Sequence, residues 1–334
     1  MSKLFKSKRL SSKQSKAKSE TAKSSKTSVK TKINNRIGHW NFKKISRYAF
    51  VFGSVILLAT AYIWYSRLYM TPERRFWIAI NNSMSTPSVV RTLTQGGSGN
   101  EVVQKYRFNF APQRVVENKV IYTEKSAVTD TSVTTEGVIF PTEQFLRYTA
   151  FTNSRKDNEK NSNIDAVLGK WAIQNTDNED DAKMNYLSEQ VSLVIFGNYS
   201  AGSRSEMLRD LQQKQVYGTE LKTPLVDKLD NETVLVYSIS VNLRNYAELL
   251  NKAFVSAGFG EFAPLNPANY NEDSLVNGNI LVRKKDNSIV GINFGGREER
   301  YGNYGVSKQV VKPEAAFTIE ELQSKVQLLL QDSL

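Results

Sequence analysis

Apolar and uncharged residues run without a break from Tyr48 to Ser66, YAFVFGSVILLATAYIWYS, a stretch of nineteen positions. At about 1.5 Å per residue this run reaches roughly 28 Å as a helix, close to the ~30 Å hydrocarbon core of a bilayer. Trp40 and Tyr48 stand near one end, and Tyr62, Trp64, Tyr65 and Tyr69 crowd the other, where amphipathic rings favour the headgroup region. A buried core helix of this length would show a polar stripe, so the pattern predicts one transmembrane helix over residues 48–66.

Beyond it the pattern changes. Thr71-Pro72-Glu73 reads as a helix start, with Thr as N-cap and Pro at the first helical position, and Phe76, Trp77, Ile80 and Met84 recur at helical spacing. Strand-like runs follow: SVVRTLTQ and EVVQKYRFNF around Gly96–Asn100, then RVVENKVIYTEK, SVTTEGVIF and EQFLRYTAFT. Tyr106, Phe108 and Phe110 alternate with polar neighbours, which gives that strand one apolar face. The joining segments are too short for crossover helices, so the pairing is antiparallel. Two polar stretches, 153–163 and 175–183, read as solvated loops, and IDAVLGKWAIQ between them starts as a helix. YLSEQVSLVIFGNY fits helix or strand equally, and residues 203–216 read as a helix with Met207, Leu208 and Leu211 inward.

In the last third, TVLVYSISVNL places Leu235, Tyr237, Ile239, Val241 and Leu243 on one strand face. NYAELLNKAFVSAG has Asn245 and Glu248 at capping-box spacing and stops at Gly258. NILVRKK and SIVGINF flank a two-residue turn, Asp286-Asn287. A final helix takes Thr318 as N-cap, Glu321 as the capping-box partner, and Phe317 against Leu322 as its staple. Strands outnumber helices and come in runs, which predicts an α+β fold: a curved antiparallel sheet with helices packed on one side.

Charge then divides the chain. The 334 residues carry a formal net charge of +12, yet residues 1–47 alone hold 15 Lys and Arg against one acid, leaving 30 basic and 32 acidic residues for the rest. The basic tail has too little apolar surface to offset the entropy of ordering, so disorder is expected over 1–47. Against those lysines the far flank offers Arg67, Arg74 and Arg75. The positive-inside rule therefore puts the N-terminus in the cytoplasm, beside the anionic inner leaflet, and the domain of residues 67–334 outside. That domain is near neutral, which argues against nucleic acid as its partner. A signal peptide cut at Ala59-Thr60-Ala61 would leave Tyr62–Tyr65 exposed after an unusually long leading region, so an uncleaved anchor is expected.

A juxtamembrane helix, a run of amphipathic strands, then strand, helix YAELLNKAF, hairpin ILVRKKDNSIVGINF and a last helix resembles the half-barrel of LolA-like and LppX-like lipoprotein carriers over residues 72–331. The order of elements carries the resemblance, since no signature motif does. It also resembles single-pass bacterial proteins with a basic cytoplasmic tail. The carrier resemblance implies a hydrophobic cavity for a lipid or acyl chain between sheet and helices. On that expectation the apolar sheet-face residues Tyr106, Phe108, Phe110, Leu235, Tyr237, Ile239 and Val241 are the candidate ligand-binding set. Service as a structural subunit of an envelope assembly, such as a secretion or conjugation complex, is the other reading, with a protein partner.

No catalytic constellation emerges. There is no cysteine, and the single histidine, His39, lies in the tail, so neither a thiolate site nor a Ser-His-Asp triad can form in the outer domain. Gly96–Gly99 lacks the spacing and the strand-to-helix setting of a nucleophile elbow. The acidic group Asp177, Glu179, Asp180 and Asp181 has Ala182 and Ser188 where a calcium loop needs Gly and Glu. GGREERYGNYG, residues 295–305, is the most distinctive stretch, but Glu298 and Glu299 should point to opposite faces of a strand. No cofactor or metal is expected.

Overall fold

The computed structural model describes residues 42–97, 99–127, 129–155, 164–174, 179–218, 221–260 and 263–331, with the side chains of 42–49, 67, 68, 155, 179 and 331 also outside the description. The basic tail up to residue 41, His39, Ser98, Asp177 and most of the first polar stretch therefore lie outside the described residues. The chain divides at Thr60/Ala61 into two units.

Helix α1 (Phe42–Ile63) contains the apolar run. Its described side chains point outward all round: Phe50, Leu57 and Tyr62 are 77%, 70% and 71% exposed. The hydroxyls of Ser54 and Thr60 bond back to the carbonyls of Phe50 and Ile56, each at 2.8 Å, which satisfies them within the helix. Among the described residues no helix is long and apolar enough to cross a membrane. The expected span of 48–66 is thus not recovered as such. Its first two side chains are not described, and the regular α-helix stops at Ile63, so residues 50–63 cover only about 21 Å. A π-helical turn, Trp64–Tyr69, follows, with Tyr69 stacked on Trp64 and Tyr65 at 5.8 and 5.6 Å.

Past that turn comes α2 (Pro72–Ser83), capped as the sequence indicates by Thr71, whose Oγ1 accepts from the Arg74 N–H at 3.3 Å. Five long strands come next: β1 (Ser88–Gly97), β2 (Asn100–Asn109), β3 (Val115–Lys125), β4 (Thr129–Ile139) and β5 (Gln144–Arg155). They pair as a consecutive antiparallel meander. Short β6 (Trp171–Gln174) pairs with β5, then α3 (Glu179–Ser188) and α4 (Ala201–Gln213) lead to β7 (Tyr217–Gly218), β8 (Leu225–Leu229) and β9 (Glu232–Asn242). Helix α5 (Leu243–Ser256), β10 (Leu275–Arg283), β11 (Ile289–Phe294), β12 (Arg297–Gly302), β13 (Ala315–Thr318) and α6 (Ile319–Gln331) complete the order.

The thirteen strands of the described residues join one curved, unclosed sheet in the order β13-β6-β5-β4-β3-β2-β1-β12-β11-β10-β9-β7, with β8 also on β9. Every pairing is antiparallel except β13 with β6. The decisive junction is β1 with β12, where Arg91 faces Tyr301 and Leu93 faces Glu299. It unites the early meander with the strands of the last third. Register assigns the inner face: Tyr237 opposes Ile280, Ile280 opposes Ile292, Ile292 opposes Glu299, and Arg91 opposes Tyr106. Against this face α2 packs Phe76 and Ile80, α3 packs Tyr186 and Leu187, α4 packs Met207 and Leu211, and α5 packs Leu249 and Phe254, all in one buried cluster. At the far end α6 places Leu322 beside Ala172 and Tyr148, which register carries onto the same face. The α+β arrangement with helices on one side is therefore present.

Local expectations diverge in four places. Residues 165–169 form turns rather than a helix, since Gly169 sits at φ +74 and β6 begins two residues later. The ambiguous segment is helix only to Ser188, and then irregular through 199, buried as it passes under the sheet. Helix α5 is capped by Asn242, whose Oδ1 accepts from the Asn245 N–H at 3.0 Å, so Asn245 is helical rather than the cap. The β10–β11 connection takes five residues, 284–288, not two: the Arg283 N–H reaches the Ser288 carbonyl at 2.8 Å, with Asn287 at φ +55. The capping box at Thr318 and Glu321 is formed in both directions, at 2.9 and 3.1 Å.

Candidate functional site

The seven apolar residues singled out on β2 and β9 do share one face, but most of it is filled. Tyr106, Phe108, Leu235, Tyr237, Ile239 and Val241 are buried beneath the helices, and Phe110 is packed against the same cluster. Of the seven, Phe110 alone lines the aromatic cavity on the helix side of the sheet.

That cavity has a volume of about 190 Å³ and opens between the end of β2 and helices α3, α4 and α5. Each wall follows from local sequence. Phe110 continues the alternation of β2, stacking on Phe108 at 6.2 Å, which in turn stacks on Tyr106 at 5.7 Å. Tyr186 lies on the inward side of α3, and Phe254 on that of α5. Gly258, at φ +85, ends α5 and turns the chain so that Phe259 folds back against Tyr186 (5.5 Å) and Phe254 (6.5 Å). Tyr199 comes just before α4, whose N-cap Ser200 also lines the space. Gly197 makes this wall possible, because a Cβ there would stand 2.3 Å from the Tyr199 ring.

Arg114 sits at the mouth. Its guanidinium lies 4.7 Å from the Phe259 ring centre and donates to the Ala257 carbonyl. The first turn of α4 lines the same opening with Ser200 and Ser203, so the positive end of that helix dipole faces it too. Burial pushes the Tyr186 and Tyr199 hydroxyls well above the ordinary tyrosine range, with Arg114 pulling both partly back. Both stay neutral at any physiological pH. The lining thus offers rings inside and positive charge at the rim.

Next to the cavity, and sharing Phe110 and Gln190 with it, lies a buried polar cluster. Arg91 is 3% exposed, crosses the Tyr106 and Phe108 rings at 4.7 and 5.0 Å, and donates to the carbonyls of Glu189 and Val191 at 2.9 and 3.2 Å. Glu299 is wholly buried. Its Oε2 accepts from Ser192 Oγ at 2.8 Å and from the Tyr301 hydroxyl, and Arg297 Nη2 lies 2.8 Å from Oε1 in an ionic contact not aligned as a hydrogen bond. Burial raises the Glu189 carboxyl above its usual range against the pull of Tyr106, Arg91 and Arg297. The Tyr106 hydroxyl is pushed up to about 12, first by burial and then by Glu189.

The stretch 295–305 is resolved by this geometry. Gly295 and Gly296, at φ +54 and +76, make the two-residue β11–β12 hairpin that only such residues allow. Glu298 is exposed and Glu299 buried, on opposite faces as strand alternation requires. Among the described residues no group of three or more His, Cys, Asp or Glu could hold a metal ion, and of the acidic group Asp180 and Asp181 fall in the first turns of α3. Sequence reasoning missed Arg91 and Glu299 as interior charges and Arg114 as a charge at the cavity rim. A lone arginine inside the apolar run SVVRTL was the available signal for Arg91.

The geometry defines an α+β protein with a curved open sheet and an aromatic cavity under one face. No family model and no curated protein matches the sequence. Among solved structures it is similar to LprF from Mycobacterium bovis, at 9% identity over 73% of this chain and 97% of that one, with a TM-score of 0.37. It is also similar to a β-barrel-like protein of a domain of unknown function, DUF1849, from Brucella abortus, at 10% identity, 68% and 100% coverage and a TM-score of 0.21. Superpositions this loose leave the assignment to the chain's own geometry.

Proposed function

We propose that this chain is a membrane-anchored, non-enzymatic binding module whose cavity takes the apolar end of a lipid-like ligand with an acidic head. The observation that carries the reading is the ring-lined cavity of about 190 Å³ with Arg114 and the start of α4 at its rim. This is smaller than the ~300–1,000 Å³ of typical small-molecule pockets, so the occupant is one chain end rather than a whole lipid. Anchoring is supported by α1, whose exposed apolar side chains would find no favourable surroundings in water. The lysine-rich tail supports an orientation with the N-terminus inside and the folded domain outside.

A fluorescent fatty acid titrated into full-length protein in lipid nanodiscs tests the cavity. Saturable binding is expected, weakened about tenfold by Arg114→Ala, a loss of roughly 1.4 kcal/mol. Binding that never saturates above that of empty nanodiscs would sink the reading. Because the chain has no cysteine, single introduced cysteines on either side of α1, probed with an impermeant maleimide in intact cells, test the topology without background.

A further inference from the structure

The outer face of the sheet, opposite the helices, carries two chemically different halves. On β2–β5 it is a ladder of charges: Arg107 pairs with Glu117 at 3.0 Å, and Arg147 with Glu136 at 2.6 Å. This is the usual dressing of a solvated strand face. On β9–β12 the same face has a central stretch of amides and hydroxyls, flanked by the ion pairs Arg283–Glu232 and Arg300–Glu298 and by the buried apolar cluster of Val234, Leu281 and Val290. Ser238, Asn279, Asn293, Glu298 and Thr94 stand in register across five adjacent strands, with Ser240 and Asn277 paired in a row beside Ser238 and Asn279. All of these except Thr94 line an open groove of about 750 Å³ together with four glycines.

Asn, Ser and Gly are among the less favoured residues for strand interiors, and β10 and β11 are interior strands. Solvation alone is served better by the Lys, Arg and Glu used on the neighbouring half. The two charges in the lining are already partnered, Glu298 with Arg300 at 2.5 Å and Arg297 with Glu299 at 2.8 Å. What remains is a set of uncharged groups that both donate and accept, in which Ser238 Oγ already donates to Asn279 Oδ1 at 3.0 Å and so orients the Asn279 amide.

We propose that this groove binds a neutral oligosaccharide. Sugar hydroxyls are themselves paired donors and acceptors, and side-chain amides match two neighbouring hydroxyls at once. The part of the row that lines the groove, Ser238 to Glu298, spans about 14 Å at ~4.8 Å per strand, so a chain of several rings could lie across it with one ring near each strand. A phosphate or nucleic-acid ligand would need unpaired cations that the lining lacks, and an apolar peptide would need a hydrophobic pocket. The inference is independent of the lipid reading, since it uses the opposite face of the sheet.

The test uses full-length protein in nanodiscs, titrated calorimetrically with hexamers of β-1,4-linked glucose, α-1,4-linked glucose and β-1,4-linked N-acetylglucosamine, and with an alginate hexamer as the anionic control. At least one neutral hexamer should bind saturably and better than alginate. Asn279→Ala, and separately the exposed Asn277→Ala, should each weaken that binding at least tenfold with the thermal midpoint unchanged. Binding of none of the neutral hexamers, stronger binding of alginate, or neutral binding that neither variant weakens would each overturn the proposal.

Discussion

Glu299→Ala is the sharpest perturbation of the interior. The carboxylate is fully buried between Ser192, Tyr301 and Arg297. Removing one partner of a buried ion pair costs ~3–5 kcal/mol, because the other charge is left behind. Arg297 keeps 30% of its side chain exposed and can swing toward water, and Ser192 and Tyr301 still bond each other at 2.8 Å. The cost should therefore sit at the lower end, about 3 kcal/mol. Glu299→Gln preserves the shape and an acceptor, and should cost only about 1–2 kcal/mol. Urea unfolding of the full chain, followed by tryptophan fluorescence, reads both as shifts in midpoint at constant slope. A midpoint loss below about 1 kcal/mol for Glu299→Ala would refute the reasoning, since neither the buried pair nor its hydrogen bonds could then matter as argued.

Other consequences are as specific. Glu189→Gln should stabilise the protein at pH 7 and do little at pH 4: the folded carboxyl is raised, so the folded state holds its proton longer and stability falls as pH rises through that raised value. Thermal midpoints of both proteins across pH 4–8 would show it, and parallel curves would contradict it. Gly197→Ala should displace the Tyr199 ring and narrow the cavity, lowering fatty-acid affinity with little change in far-UV circular dichroism. Thr318→Ala removes the formed capping box of α6 and should cost about 1 kcal/mol in the same urea assay.

The parts of the fold legible in sequence were those governed by local physics. Alternation in YRFNF and LVYSISV, the caps at Thr71 and Thr318, and the stop at Gly258 each depend on neighbours within a few residues, and each is present. The β1–β12 junction was not legible, because it joins residues about two hundred positions apart and leaves no local mark. The same holds for the site. The apolar face could be read from β2 and β9, but not how fully α2 and α5 fill it, nor that an aromatic cavity would open at Phe110. Arg114 becomes a rim residue only when Gly258 folds Phe259 back beneath it.

Cross-linking with a photoactivatable fatty acid, followed by peptide mapping of the full-length protein, tests the central claim most directly. It separates an occupied cavity from lipid that merely surrounds α1. Labelling at Phe110, Tyr199 or Phe259, suppressed by excess unlabelled fatty acid, is the predicted result. Labelling confined to peptides from α1, unaffected by competitor, would contradict it.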